Sequence, residues 1–474
     1  MRARAAATRV RRLFLPIAVA ALAWSCSPGV RLRDSRDIEH VVGATPILET
    51  PAGALSPARS EHVLESLARE AGASEILLAH LAVEEAYTDA PLVMGNRAQL
   101  LRDGDETFRE MERALGDARH HINVEVYIFH DDELGRRIAD LMMSKAREGV
   151  AVNLIYDSVG SIDTDERFFD ELRRAGVHVV EYNPVDPTKA RRSWQLEQRD
   201  HRKLLVVDDR VAFTGGLNFS NEYAGSSPRA SRFSSGRFFT KSATMRTWRD
   251  THVEIEGPVV QEFQKLFRKT WEKQHGDRLP WNEYFAPAAP AGNQIVRAIG
   301  STPDDSFSLI HTTMLSAIEH AQRSIHLTQA YFVPDDELVE ALIRAARRGV
   351  DTQIVLPGVT DFWMTRFAGR ARFSDLLDAG VRLHERLGSV LHAKTAVIDG
   401  VWSTVGSANL DYRSLVKNDE INAVILGEQF ADQLEAMFRD DVAASREITK
   451  THWKRRGIST RVKETVARVW KRWL

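Results

Sequence analysis

The sequence contains one domain-sized unit twice. Tyr127-Ile-Phe-His-Asp-Asp-Glu-Leu134 returns 204 residues later as Tyr331-Phe-Val-Pro-Asp-Asp-Glu-Leu338. Each copy runs into a helical pattern that closes on Arg147-Glu-Gly-Val150 or on Arg348-Gly-Val350. An apolar run follows, Val152 to Tyr156 in the first copy and Ile354 to Leu356 in the second. Ala175-Gly-Val177 and Ala379-Gly-Val381 keep the 204-residue spacing. His201-Arg-Lys203 and His392-Ala-Lys394 stand 191 apart, because the first copy has a longer loop between Tyr182 and Arg199. Self-similarity of this period means a duplicated unit. Helical and strand patterns alternate within it, and Ile122, Val124, Val126 and Ile128 alternate as strand residues do. The predicted fold class is α/β, with two homologous halves in one chain, each a β-sheet flanked by helices.

The units occupy 91–275 and 294–447, and the Pro-, Ala- and Gly-rich stretch 276–293 reads as a linker. Residues 27–90 form an N-terminal extension, partly helical, to which the sequence assigns no role. Of the 474 residues, 43% are hydrophobic and 27% charged, with a formal net charge of −2, which excludes disorder, collagen and a polytopic membrane fold. Cys26 is the one cysteine, so neither an intramolecular disulfide nor a cysteine-based zinc site can form.

The two ends carry addresses. Five arginines among residues 2 to 12 precede the apolar run Leu13 to Trp24. That run is too short for a simple membrane span, and the pattern is that of a secretory signal over 1–26. Arg11-Arg12-Leu13-Phe14-Leu15 is similar to a twin-arginine signal, and Ser25-Cys26-Ser27 to a lipoprotein signal with lipidation at Cys26. Export to the periplasmic face of a membrane is expected. Segment 448–474 is expected to be a basic amphipathic helix. From Trp453 to Leu474 it holds eight Lys or Arg and one acid, Glu464, with Trp453, Trp470 and Trp473 to seat in a lipid interface. An anionic phospholipid membrane is the partner this predicts. The acidity of the remainder argues against nucleic acid.

The chemistry is concentrated in one motif per half. The first is His201-Arg-Lys203, four apolar residues, Asp208, then Gly215-Gly216-Leu-Asn218. The second is His392-Ala-Lys394, four residues, Asp399, then Gly406-Ser407-Ala-Asn409. His and Lys two apart on a strand share a face. Two imidazoles, two ammoniums and two amides suit a phosphodiester. One neutral His can attack phosphorus and form a phosphohistidine, while the other protonates the departing oxygen and then deprotonates the incoming alcohol or water. Lys203, Lys394, Asn218 and Asn409 can donate to the phosphoryl oxygens. No metal and no cofactor is expected, since the lysines supply the positive charge.

These motifs resemble the phospholipase D superfamily, most closely the bacterial cardiolipin synthases, over about residues 91 to 447. Arg199-Asp-His-Arg-Lys203, Ala212 to Asn218, Trp248-Arg-Asp-Thr-His252, Glu254-Ile-Glu-Gly-Pro258, Leu391-His-Ala-Lys394, Thr404 to Asp411 and Asn418-Asp-Glu-Ile-Asn422 carry the finer match. The resemblance implies halves packed face to face, with the active site at their pseudo-two-fold interface. It implies ping-pong phosphatidyl transfer in which His201 is the nucleophile and His392 the acid and base, although the near-symmetric motifs leave the reverse open. His201, Lys203, Asp208, His392, Lys394 and Asp399 make up the catalytic set, with Asp208 and Asp399 expected to brace their turns. An acid downstream of each motif orients the rings, Asp250 in the first half, with Glu254 as its rival, and Glu420 in the second.

The implied function is a cardiolipin synthase-like phosphatidyltransferase acting on phospholipid and alcohol substrates, as a monomer with an internal pseudo-dimer. A phospholipase D releasing phosphatidic acid and an exported phosphodiesterase or nuclease are the alternatives. Loop 224–243, with Arg229, Arg232, Arg237 and Lys241, and the cluster Phe362-Trp363-Met364 are candidate lipid contacts.

Overall fold

The repeated phrases of the sequence are helix ends. In the computed structural model Asp132 accepts from the Gly135 N–H at 3.0 Å and caps Glu133–Arg147, while Asp335 accepts from the Leu338 N–H at 2.9 Å and caps Asp336–Arg347. A cap of this kind contributes ~1 kcal/mol. The far ends also match. Gly149 and Gly349 take φ of 92° and 95°, and the Val150 and Val350 N–H groups turn back to the carbonyls of Lys145 and Ala345. Only glycine adopts that left-handed turn without steric cost. The faces between the caps bury Leu134, Ile138 and Met142 in one half and Leu338, Leu342 and Ala345 in the other. The structure describes residues 32–34, 45–73, 75–189, 194–224, 247–279, 289–360 and 363–457.

Each half is a mixed sheet with the same strand order. In the first, His178–Tyr182, Ala151–Asp157 and His121–Val126 run parallel. Lys203–Val207, Val211–Gly215, Thr251–Glu256 and Leu92–Arg102 follow antiparallel. In the second, Arg382–Arg386, Asp351–Pro357 and Ser324–Gln329 run parallel, then Lys394–Ile398, Trp402–Gly406, Asn418–Leu426 and Gln294–Ser301 antiparallel. Leu92–Arg102 and Gln294–Ser301 pair antiparallel and join the two sheets, the relation a two-fold axis demands. Leu204, Val206, Phe263 and Phe267 of one half share a core with Val296, Val397, Ile421 and Phe430 of the other. Two short parallel ladders also cross the seam. Arg199–Asp200 pairs with Asn418–Asp419, and Thr247–Arg249 with Ser389–Leu391.

The N-terminal extension, without a role in the sequence, is part of the second half's body. Its helices Pro57–Ala71 and His80–Tyr87 pack Leu64, Ala68 and Leu81 into that half's core. Glu84 and Glu85 grip Arg297 at 2.8 and 2.7 Å, and His80 Nδ1 lies 2.9 Å from Ser316 Oγ. At the other end, Trp453, expected to face lipid, is instead 3% exposed. It packs on Phe373, donates to Ser374 Oγ at 2.9 Å and lies between Arg370 and Arg456. An apolar cleft was available to it, and burying an indole there is worth more than leaving it at an interface. The helix around it is Lys450–Lys454. The remaining expectations for the tail, at 458–474, lie outside the described residues, as do the signal at 1–26, loop residues 225–246 and Phe362. Met364 lies against Val333 and Ala368. No helix among the described residues is long and apolar enough to cross a membrane.

Arg297 and Glu84 are fully buried, so removing one partner strands the other. Arg297→Ala is expected to destabilise the protein by about 3–5 kcal/mol in chemical denaturation. A change below about 1 kcal/mol would mean that the extension is not integral to the fold.

Candidate active site

The seam ladders set the register of the site. His201 follows directly on Arg199–Asp200 and donates its backbone N–H to the Asp419 carbonyl at 2.9 Å. His392 follows on Ser389–Leu391 and donates to the Arg249 carbonyl at 2.8 Å. Each histidine is thereby placed beside the acid of the opposite half. His201 Nδ1 lies 3.0 and 3.1 Å from the Glu420 carboxylate oxygens, and His392 Nδ1 lies 2.8 Å from Asp250 Oδ2. With Nδ1 donating to a carboxylate, the reactive nitrogen of each ring is Nε2. Of the two first-half candidates, Asp250 holds a histidine. Glu254 lies instead on a sheet face against Arg113 at 3.2 Å and Arg97 at 3.8 Å.

Strand periodicity brings the lysines to the same face. Lys203 and Lys394 are each 2% exposed, and each Nζ donates to the carbonyl of its own histidine, His201 or His392. Burial is the main influence on Lys203 and lowers its pKa to about 7, with Glu420 opposing and Lys394 reinforcing. Burial likewise lowers His201 to about 4, against Glu420 and with the help of Lys203 and Lys394. Burial alone would raise Glu420, but His201, Lys203 and Ser407 outweigh it and hold the carboxyl below its ordinary value. Asp250 is likewise lowered, with burial outweighed by His392 and Lys394. Lys394 thus acts on His201, Lys203 and Asp250, all in the other half. The charged groups of the two motifs converge.

The asparagines are tied into the protein to different degrees. Asn218 accepts from the Ile128 N–H at 3.2 Å and gives one N–H to the Tyr223 hydroxyl at 2.9 Å, which leaves at most one for a phosphoryl oxygen. Asn409 Oδ1 is buried without a hydrogen-bond partner among the described residues. Asp208 and Asp399, grouped with the catalytic set, sit at the far ends of their strands. Asp208 accepts from the N–H groups of Arg119, His120 and His121, each at 2.8 Å. Asp399 accepts from Gln322, Arg323 and Ser324 at 2.9, 2.7 and 3.0 Å. Each clamps the turn that leads into a neighbouring strand, so the pair braces the sheet and stands away from the reacting groups. Among the described residues no cluster of His, Cys, Asp and Glu is arranged to hold a metal ion.

Some neighbours of the site were not singled out from the sequence. Ser407 and Ser414 donate to Glu420, and so does Asn418 Nδ2 at 3.4 Å. Ser407, which stands where the first half has Gly216, therefore touches the acid that orients His201. The ring of Tyr127 lies 5.1 Å from that of His201, and the ring of Tyr331 6.2 Å from that of His392. The echo of Tyr127 in Tyr331 was the available signal.

A family profile described as "Cardiolipin synthase, PLD-like domain" matches residues 111–227 and 314–442. The chain belongs to this family. Both matched segments contain one His-x-Lys motif and its Asp and Asn. Cardiolipin synthase 2 of Bacillus cereus is 34% identical over 371 residues, covering 78% of this chain and 69% of that protein. Cardiolipin synthase of Geobacillus kaustophilus is 34% identical over 381 residues, covering 80% and 72%. The crystal structure of phosphatidylserine synthase from Haemophilus influenzae has the same fold, with a TM-score of 0.56 at 14% identity over 79% of this chain and 93% of that one. The family fold is thus two phospholipase D-like halves.

Asp399→Ala would orphan three backbone N–H groups at the turn. The expected loss is about 2–4 kcal/mol of stability with kcat of the folded fraction within about threefold of wild type. A hundredfold fall in kcat at unchanged stability would return Asp399 to the catalytic set.

Proposed function

We propose that the protein is a phosphatidyltransferase of the cardiolipin synthase type, moving a phosphatidyl group from one phospholipid to the hydroxyl of another. The crossed pairs His201–Glu420 and His392–Asp250, with both lysines beside them, are the observation that carries this reading. His201, held neutral by burial, attacks phosphorus through Nε2 as the P–O bond to the headgroup breaks. His392 gives its proton to the departing alkoxide, and the free alcohol leaves. The hydroxyl of a second lipid enters, His392 takes its proton, and the new P–O bond forms as the P–N bond to His201 breaks. Glu420 and Asp250 fix the ring tautomers and stabilise the cationic form each ring passes through. Lys203 and Lys394 face the non-bridging oxygens, where charge accumulates.

The leader at 1–26, the basic residues after Trp453 and the acidic remainder support an exported enzyme on an anionic phospholipid surface, with or without a lipid at Cys26. Among the relatives, the two named synthases match along most of the chain, which supports transfer over hydrolysis.

Radiolabelled phosphatidylglycerol in vesicles tests the reading by thin-layer chromatography. Cardiolipin and free glycerol are expected, and His201→Ala should abolish both. Phosphatidic acid as the sole product would make the protein a hydrolase. The pH profile follows from Lys203. Its charged form is needed for phosphate, and its pKa of about 7 means that this form is lost as pH rises. Towards a soluble phosphodiester, kcat/KM is expected to fall about tenfold per pH unit above ~7 and to stay level down to about 5, where His201 remains neutral. An undiminished kcat/KM at pH 9 would contradict the role given to Lys203.

A further inference from the structure

The two halves differ in chemistry at corresponding positions around the two rings. Within the motifs, which run 191 residues apart, Gly216 corresponds to Ser407 and Tyr223 to Ser414. The seam ladders match Trp248, opposite Val390, with Asn418, opposite Arg199. On the His201 side all three positions are polar, and Ser407, Ser414 and Asn418 all donate to Glu420. The His392 side has none of these donors. A Cβ at Gly216 would lie 2.0 Å from Asp250 Oδ1, so no hydroxyl fits there. Tyr223 and Trp248 flank His392 instead, with ring centroids 5.5 and 5.3 Å from it and 4.7 Å from each other. Tyr331 stands on a further side at 6.2 Å. The Tyr223 hydroxyl is held by Asn218, so its ring is fixed. Trp248 and Tyr331 are half-buried. Each ring thus keeps one tyrosine of the repeated pair, Tyr127 at 5.1 Å from His201 and Tyr331 at 6.2 Å from His392, and the His392 side adds Tyr223 and Trp248 where the His201 side has Ser414 and Asn418.

Given the transfer reading above, on which this step rests, the phosphorus lies between the rings. In-line displacement puts the departing oxygen opposite His201, beside His392. The incoming hydroxyl takes the same place. We infer that Trp248, Tyr331 and Tyr223 line the alcohol subsite and select a carbon-bearing polyol, the glycerol headgroup of a second phospholipid, over water. Aromatic faces pack against C–H groups and offer water no hydrogen bonds in return. The selection acts on the second step. Either the alcohol or water gives its proton to His392 and its oxygen to phosphorus as the P–N bond to His201 breaks, producing cardiolipin or phosphatidic acid.

The test is the product ratio of the full chain acting on radiolabelled phosphatidylglycerol vesicles. Trp248→Ala is expected to lower the ratio of cardiolipin to phosphatidic acid at least tenfold, with Trp248→Phe within threefold of wild type. Tyr331→Leu should lower the ratio as well, and serves if Trp248→Ala does not fold. A merely structural role would reduce both products together. An unchanged ratio in Trp248→Ala and Tyr331→Leu, from a wild type that makes cardiolipin, overturns this inference alone. A wild type that releases only phosphatidic acid overturns both it and the transfer reading.

Discussion

The site depends on two hydrogen bonds that cross the seam, His201 to Glu420 and His392 to Asp250. Neither half can build a working ring by itself, because each imidazole takes its tautomer from a carboxylate of the other half. The backbone enforces this crossing before any side chain is considered. Parallel ladders of two and three residues run straight into the His or the acid on each strand, and a further N–H from each histidine extends them. A one-residue slip in either ladder would turn the acid to the opposite face. The shared core and the pairing of Leu92–Arg102 with Gln294–Ser301 make that slip costly.

Burial keeps the His201 ring neutral, and it leaves Lys203 close to losing its charge. Removal from water disfavours the charged forms of His201 and Lys203, so His201 stays neutral and Lys203 gives up its proton near neutrality. The acids keep their charge because each has a histidine and a lysine against it. A phosphodiester anion entering between the lysines would restore the charge of Lys203. The site is thus arranged for an anion rather than for a neutral ligand.

The repeat made the fold class legible, since the echoed phrases are caps and turns that recur wherever the same helix does. The histidines and lysines could be read because their spacing survives in both copies. The crossing of the acids could not. Asp250 and Glu420 stand 49 and 28 residues downstream of the histidine in their own half, and nothing in that spacing says which ring they hold. Asp208 and Asp399 share the motif of the catalytic pair and hold the bracing place expected of them. An aspartate repeated with a catalytic pair reads as part of it, whereas its carboxylate serves three backbone N–H groups at the far end of the strand. A basic tail with tryptophans has the pattern of a lipid contact, and the sequence does not reveal the cleft beside Phe373 that takes Trp453. The extension was silent because its partners, Arg297 and Ser316, lie more than 200 residues away.

The most direct test of the crossed arrangement is a rapid-quench burst with a phosphatidyl p-nitrophenyl ester. Its leaving group needs no proton, so in the proposed mechanism the first step depends on His201 and its orienting acid and not on His392. Glu420→Gln, in the half that does not carry His201, is expected to slow the nitrophenol burst by about a hundredfold, while Asp250→Asn leaves the burst and slows only later turnovers. A burst lost in Asp250→Asn and kept in Glu420→Gln would contradict the account.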